Sequence, residues 1–115
     1  MIEVTQRELL ERLEWQERLM KRDAKADPVI VFLHTPLCGT CAAARKMLDV
    51  VEFVVPDVQL LAADVNFLPG IVERYQIRSV PALLAITSSP GANPEVLYRM
   101  GSVQDIVSFV RSVKP

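Results

Sequence analysis

Apolar residues in this chain occur in two patterns, as short unbroken runs and as stripes at helical spacing. The clearest run is Val29-Ile30-Val31-Phe32-Leu33, which is typical of a strand covered on both faces. Similar runs or alternations predict four further strands, at residues 1–4, 58–65, 82–87 and 95–100. The last two are separated by a turn-rich stretch, residues 88–94, which predicts an antiparallel hairpin.

Stripes of apolar residues at helical spacing predict four helices between the strands. Their expected starts are a capping box of Thr5 with Glu8, the segment at Cys41, an Asn66 cap before residues 68–75, and a Ser102 cap. Pro56 is expected to end the second helix. Trp15 lies at the edge of the first helix's apolar arc, and we expect it to pack against the core.

The elements follow one another as strand, helix, strand, helix, strand, helix, strand, strand, helix. This order predicts an α/β chain with a sheet covered by helices on both faces and ending in an antiparallel edge. We expect residues 1–115 to form a single domain, because the chain is too short for two independent cores.

Composition excludes several classes of function. Hydrophobic residues make up 50% of the chain and charged residues 23%, as in a globular protein. The net charge of -1 gives no field that would attract nucleic acid or anionic lipid. The longest apolar runs are too short to cross a bilayer, and the acidic start does not resemble an export signal. We therefore expect a cytoplasmic protein without nucleic-acid or membrane partners.

Cys38 and Cys41 stand where the buried strand gives way to the second helix. Two cysteines three positions apart in a first helical turn can close a disulfide. Cys38 lies at the helix amino terminus, where free backbone N–H groups and the helix dipole stabilise a thiolate and lower its pKa. Because the thiolate is the attacking species, we predict Cys38 as the nucleophile and Cys41 as the resolving thiol, with Gly39 leaving room for a partner chain.

The same cysteine spacing also occurs in metal and iron–sulfur sites, and an inert chance pair is a third interpretation. A tetrahedral site needs four ligands, and besides the pair the chain has a single histidine, His34. A metal or cluster shared between two chains of a dimer therefore stays an alternative. His34 either assists the thiolate or is an ordinary packed strand residue, and we favour the second because strand residues alternate between faces.

At these residues the sequence resembles the thioredoxin family, over nearly the whole chain. Residues 75–84, YQIRSVPALL, are similar to the family's stretch around a cis-proline, and Gly101 is similar to the glycine before its last helix. The resemblance implies a thioredoxin fold, with a central mixed sheet of four to five strands and helices on both faces. It also implies a cis Pro81 beside the disulfide and a Val80 backbone that pairs with a substrate strand.

Several positions depart from the family pattern. Leu37 and Thr40 stand where the family usually has Trp and Pro, which alters the rim of the site. Phe32 and Ala62 stand where the family has a buried Asp and a buried Lys. A buried carboxylate can relay a proton to or from the resolving thiol, so its absence predicts slower turnover as a general protein reductase.

The favoured hypothesis is a monomeric thiol–disulfide oxidoreductase that reduces protein disulfides or mixed disulfides of small thiols. A reductase or a small thiol would return the electrons, and no cofactor is expected beyond the Cys38–Cys41 disulfide. The predicted substrate-binding residues are Leu37, Gly39, Thr40, Val80, Pro81 and Gly101. The alternative from another class is a thioredoxin-like binding module that docks a client strand with little redox turnover.

Overall fold

A computed structural model describes residues 1–22, 26–87 and 93–114. The helices are α1 (Gln6–Arg22), α2 (Gly39–Val54), α3 (Pro69–Arg74) and α4 (Val103–Val113). The strands are β1 (Ile2–Glu3), β2 (Val29–His34), β3 (Leu60–Asp64), β4 (Ala82–Ile86) and β5 (Glu95–Leu97). The predicted order of strands and helices is confirmed.

The strands form one mixed sheet in the order β1-β3-β2-β4-β5. Strands β1 and β2 run parallel to β3 on either side of it. Strand β4 lies antiparallel to β2, and β5 lies antiparallel to β4 at the edge. The sheet has five strands, at the upper end of the four to five expected, it has the expected antiparallel edge, and β2 lies at its centre.

Side chains of β2 alternate between two apolar cores, one on each face of the sheet. Ile30 and Phe32 pack with α2 and α4 in what we term the α2–α4 core. Val31 and Leu33 pack on the other face, in the α1–α3 core, with residues such as Leu9 of α1 and Ile71 of α3. All four β2 side chains are fully buried, as the unbroken apolar run predicts.

The cap of α1 has the predicted capping-box geometry. The backbone N–H of Thr5 donates to the Glu8 carboxylate at 3.0 Å, and the Glu8 N–H donates to the Thr5 hydroxyl at 3.2 Å. These two reciprocal bonds satisfy N–H groups that a helix start otherwise leaves without partners. The exposed Thr5 and Glu8 therefore fix where α1 begins.

Several strands are shorter than predicted, and the end of β3 and the start of α3 differ for a local reason. Strand β3 ends at Asp64, whose carboxylate accepts the N–H of Asn66 at 2.9 Å and starts a 3₁₀ turn, Val65–Phe67. Asn66 was predicted to cap α3, and this was wrong, because Asn66 lies inside that turn. Helix α3 instead follows Leu68, which makes no side-chain cap, and has Pro69 at its first position.

Strand β5 is also shorter than expected, since it ends at Leu97 rather than at residue 100. Of the hairpin tip predicted at residues 88–94, residues 88–92 lie outside the described residues. Among the described residues, no helix has the length and apolar character needed to cross a membrane.

The prediction for Trp15 was wrong, since this side chain is 59% exposed. The inward stripe of α1 consists of Leu9, Leu13 and Gln16 instead. The Gln16 amide donates to the backbone carbonyls of Asp27 and Ile86 at 3.1 and 2.9 Å. Because these two bonds satisfy the buried amide nitrogen, a polar residue occupies the inward position and its tryptophan neighbour lies outside.

Candidate active site

The cysteine pair lies at the junction of β2 and α2. Cys38 is the N-cap of α2, with an extended backbone, and its sulfur accepts the N–H of Cys41 at 3.1 Å. A disulfide joins the two residues, whose Cα atoms are 5.1 Å apart. The sulfur therefore occupies the position where a serine or threonine oxygen usually caps a helix.

The two sulfurs differ in how far solvent reaches them. Cys41 is 4% exposed and belongs to the α2–α4 core. Cys38 is half-buried, and it contacts that core from the edge. A visiting disulfide can therefore reach Cys38 first, because Cys41 is covered by its own helix and by the sheet.

Three residues of the predicted rim surround Cys38 along the chain. Leu37 is fully exposed. A Cβ atom added at Gly39 would meet nothing within 4 Å, so this side of the site is open. Thr40 is exposed, and its hydroxyl oxygen lies 3.4 Å from the Cys38 sulfur.

The loop before β4 supplies the second wall of the site. The peptide bond between Val80 and Pro81 is cis, as the resemblance implied. Val80 and Cys38 both pack against the α2–α4 core, which brings the loop to the end of the sheet where the disulfide lies. Gly101 is exposed and follows Met100, a buried member of the same core, so it lies at the edge of this region.

Comparison with known proteins decides the family. The sequence is 47% identical over 85 residues to the thioredoxin-like protein YusE of Bacillus subtilis, covering 74% of this chain and 78% of that protein. The chain belongs to the thioredoxin-like family. No family model matches the sequence.

Solved structures confirm the thioredoxin fold of this thioredoxin-like protein. Chloroplastic thioredoxin z superposes with a TM-score of 0.72 at 18% identity, over 97% of this chain and 92% of that one. A mutant thioredoxin from Halobacterium salinarum superposes with a TM-score of 0.71 at 17% identity, over 99% of this chain and 90% of that one. At these identities the likeness establishes the fold alone.

The sheet behind the disulfide is apolar in this thioredoxin-like protein. Phe32 and Ala62 are register partners on β2 and β3, and both are fully buried. These are the two positions where the sequence resemblance places a buried acid and a buried base in the family. Neither residue here can accept or release a proton.

His34 is held by charged neighbours at the end of β2. Its Nε2 lies 2.7 Å from the Glu3 carboxylate, and its ring stacks on Phe32 with centroids 5.4 Å apart. The Arg45 guanidinium lies 3.7 Å from the other Glu3 oxygen. This arrangement agrees with the interpretation of His34 as a packed strand residue, and Glu3 and Arg45 are partners that the sequence did not reveal.

Sequence reasoning also missed Arg78, an exposed cation in the loop before Pro81. Its backbone N–H donates to the Tyr98 hydroxyl at 3.2 Å, and its guanidinium lies 5.0 Å from the centre of the Tyr98 ring. These contacts hold a positive charge beside the loop wall. The alternation around Tyr98 predicts a strand but does not show what its ring would contact.

Metal binding was weighed as an alternative for the cysteine pair. Within residues 1–22, 26–87 and 93–114, no three His, Cys, Asp or Glu side chains are grouped so that they could hold a metal ion. A site shared between two chains would need ligands from a second copy. Within one chain, a disulfide joins the two cysteines.

Proposed function

We propose that this thioredoxin-like protein is a thiol–disulfide oxidoreductase that uses Cys38 as the nucleophile and Cys41 as the resolving thiol. The observation that carries the proposal is the asymmetric pair at the start of α2. The reachable sulfur accepts a backbone N–H at the positive end of a 16-residue helix, and its partner is buried behind it. A helix amino terminus favours a thiolate at that position.

The exchange proceeds in two steps that transfer two electrons. The Cys38 thiolate attacks one sulfur of the substrate disulfide, and the other substrate sulfur leaves as a thiolate that water protonates. The Cys41 thiol then gives its proton to water and attacks the Cys38 sulfur. The second substrate sulfur leaves as a thiolate, so the substrate is reduced and the Cys38–Cys41 pair is oxidised.

A reductase or a small thiol then restores the dithiol, and the proposed cycle uses no organic cofactor or metal. The substrate is a protein disulfide or a mixed disulfide with a small thiol. The cytoplasm, where thiols are kept reduced, is the proposed compartment. A single copy of the chain carries both cysteines, so the proposed unit is the monomer.

The walls described above form the proposed substrate site. A substrate chain would lie between Cys38 and the loop of Val80 and Pro81, with its backbone beside that of Val80. The open side at Gly39 admits a close approach. The remaining proposed substrate contacts are Leu37, Thr40 and Gly101.

The apolar sheet behind the cysteine pair is expected to limit the rate of disulfide exchange. Because Phe32 and Ala62 carry no titratable group, the Cys41 proton must pass to water or to a substrate group. Cys41 is 4% exposed, so water has little access to the proton on its sulfur. We therefore expect slower protein-disulfide turnover than in relatives with a buried acid.

A trapping experiment tests the proposal with two matched variants. In Cys41→Ser the mixed disulfide on Cys38 cannot be resolved, so we expect covalent adducts with cellular proteins or small thiols that dithiothreitol releases. In Cys38→Ser the reachable sulfur is absent, so we expect no adducts. Both are measured by mass spectrometry of protein purified under alkylating conditions. Equal adducts on both variants, or none on either, would contradict the assignment.

The apolar sheet also favours a second candidate function, a binding module that docks a client strand beside Val80 with little redox turnover. Its signature would be a client retained by the Cys38→Ser, Cys41→Ser double variant and released by a substitution in the Val80–Pro81 loop. Loss of the client from the double variant would count against the binding module.

A further inference from the structure

The hydroxyl of Thr40 is placed to act on the Cys38 sulfur. Thr40 is the second residue of α2, and its Oγ1 lies 3.4 Å from the Cys38 Sγ. The sulfurs of a disulfide carry no hydrogen, so in this state the hydroxyl is the donor. Together with the Cys41 N–H at 3.1 Å, it gives the Cys38 sulfur two donors.

Reduction of the disulfide changes the strength of this contact. A disulfide sulfur is a weak acceptor, whereas a thiolate is negatively charged and accepts hydrogen bonds strongly. The hydroxyl therefore stabilises the reduced, ionised Cys38 more than the oxidised pair. The residue between the cysteines that the family usually has, proline, has no hydroxyl to donate.

We propose that Thr40 is a catalytic residue whose hydroxyl donates to the Cys38 thiolate, and that it thereby sets the reactivity and reduction potential of the pair. This inference rests on the proposed function, because it concerns the same nucleophile. The hydrogen bond from Thr40 favours the reduced dithiol over the disulfide. The oxidised pair is therefore a stronger acceptor of electrons.

Three charged groups on the neighbouring elements have other partners, and a fourth lies near Gly101. His34 on β2 and Arg45 on α2 both contact Glu3, and Arg78 lies over the Tyr98 ring. Asp105 on α4 lies near Gly101, with its carboxylate 3.6 Å from where a Cβ there would be. Among the described residues, none of these groups makes a hydrogen bond or ion pair with Cys38, which leaves the Thr40 hydroxyl as the side-chain donor.

The test compares two substitutions at one position. Thr40→Val removes the hydroxyl but keeps the branched shape, and Thr40→Ser keeps the hydroxyl. The pKa of Cys38 is read from thiolate absorbance at 240 nm in the reduced protein. We expect Thr40→Val to raise the Cys38 pKa by about one unit or less, and Thr40→Ser to leave it near the wild-type value.

Alkylation by iodoacetamide across pH gives a second readout. Below both pKa values, a one-unit rise lowers the thiolate fraction about tenfold, and the greater nucleophilicity of the more basic thiolate restores about threefold. The net loss in Thr40→Val is then about threefold. Above both pKa values the same variant reacts about threefold faster, so the two rate profiles cross. A purely structural effect of the substitution would not produce this crossing.

Redox equilibrium with glutathione gives a third readout. Loss of the hydroxyl makes the reduced form less stable, so the exchange equilibrium of Thr40→Val shifts by up to about tenfold toward the disulfide, or about 30 mV. Thr87→Val is the matched control, because it removes a threonine hydroxyl that makes no hydrogen bond within the described residues. We expect no change in any of the three readouts for this control.

The outcomes separate this inference from the proposed function. If Cys38 reacts and forms adducts but Thr40→Val matches wild type in pKa and in rate profile, the role of Thr40 is wrong and the oxidoreductase stands. If Thr40→Ser shifts as far as Thr40→Val, the hydroxyl is not the cause and the inference also fails. If Cys38 is unreactive in every variant, the proposed function itself fails.

Discussion

The amino ends of α2 and α4 are capped by the same hydrogen bond but differ in the atom that accepts it. In each helix the cap side chain accepts the backbone N–H three residues later at 3.1 Å, Cys41 to Cys38 in α2 and Asp105 to Ser102 in α4. Both cap residues have an extended backbone. The serine oxygen is the same acceptor under all conditions, whereas the cysteine sulfur is weak as a disulfide and strong as a thiolate.

The difference shows how one local geometry serves two purposes. At α4 the cap stabilises a helix that packs on the sheet. At α2, in the proposed reaction, the equivalent N–H stabilises the negative charge that Cys38 acquires when the disulfide is reduced. We therefore expect the strength of the α2 cap, but not that of the α4 cap, to depend on redox state.

The largest expected effect comes from replacing the sulfur at α2 by the oxygen used at α4. Cys38→Ser leaves only the buried Cys41 thiol, because the chain has two cysteines. We expect its rate with a chromogenic aromatic disulfide to fall by at least about a hundredfold, since a hydroxyl does not replace a thiolate as nucleophile.

The same variant tests the cap. Compared with the reduced wild-type protein, we expect the free energy of unfolding of Cys38→Ser to differ by about 1 kcal/mol or less, because serine is itself a good helix cap. Urea denaturation in the presence of a reductant measures this. A rate that survives the substitution would show that Cys41 is the nucleophile and that the comparison is wrong.

A smaller effect is expected at α4. Ser102→Ala leaves the Asp105 N–H without its partner, so we expect a loss of about 1 kcal/mol in the free energy of unfolding, or about 4 °C in Tm. The disulfide-exchange rate should stay at the wild-type value, because Ser102 donates nothing to the sulfur pair. Calorimetry and the exchange assay on one preparation measure both quantities. A lower exchange rate with unchanged stability would show that Ser102 serves the exchange reaction and not the stability of α4, which would contradict the comparison.

The smallest effect is expected at α1, where the cap includes an ionisable group. The Thr5 backbone N–H and then its hydroxyl hold the pKa of Glu8 below its usual value of 4.5. A carboxyl with a lowered pKa in the folded state contributes stability above its unfolded pKa, and this contribution is lost as pH falls through the folded value.

We therefore expect wild-type protein to lose slightly more stability than Glu8→Gln when the pH is lowered from neutral to below 4.5. Denaturation curves of both proteins at a series of pH values measure the difference. If the free energy of unfolding depends on pH in the same way in both proteins, the Glu8 charge contributes nothing to the α1 cap.

Several features of the fold could be predicted because they depend on neighbours in the chain. The α1 cap requires Glu8 three residues after Thr5, and the α4 cap requires only Ser102 before its apolar stripe. The position of Cys38 at a helix start follows in the same way from a buried strand and a helical stripe on either side of it. The cis Val80–Pro81 bond was expected only because the sequence resembles a family that has one.

Other features depend on segments far apart in the chain. Gln16 takes the inward position of α1 because the carbonyls of Asp27 and Ile86 approach it, and Trp15 is exposed as a result. Similarly, Glu3 meets His34 only because β1 pairs with β3 and β3 with β2. No periodicity of polar and apolar residues shows such pairings.

The sequence by itself determined that a cysteine would begin a helix at the end of a buried strand, since spacing and capping act within a few residues. The tertiary structure decided how deeply each sulfur is buried, with Cys41 4% exposed and Cys38 half-buried. It also decided that Phe32 and Ala62 would lie side by side in the core and that the Val80–Pro81 loop would meet the same core as Cys38. The reason is that burial and contact depend on how the sheet and its two helical layers pack, and packing joins residues that the chain keeps far apart.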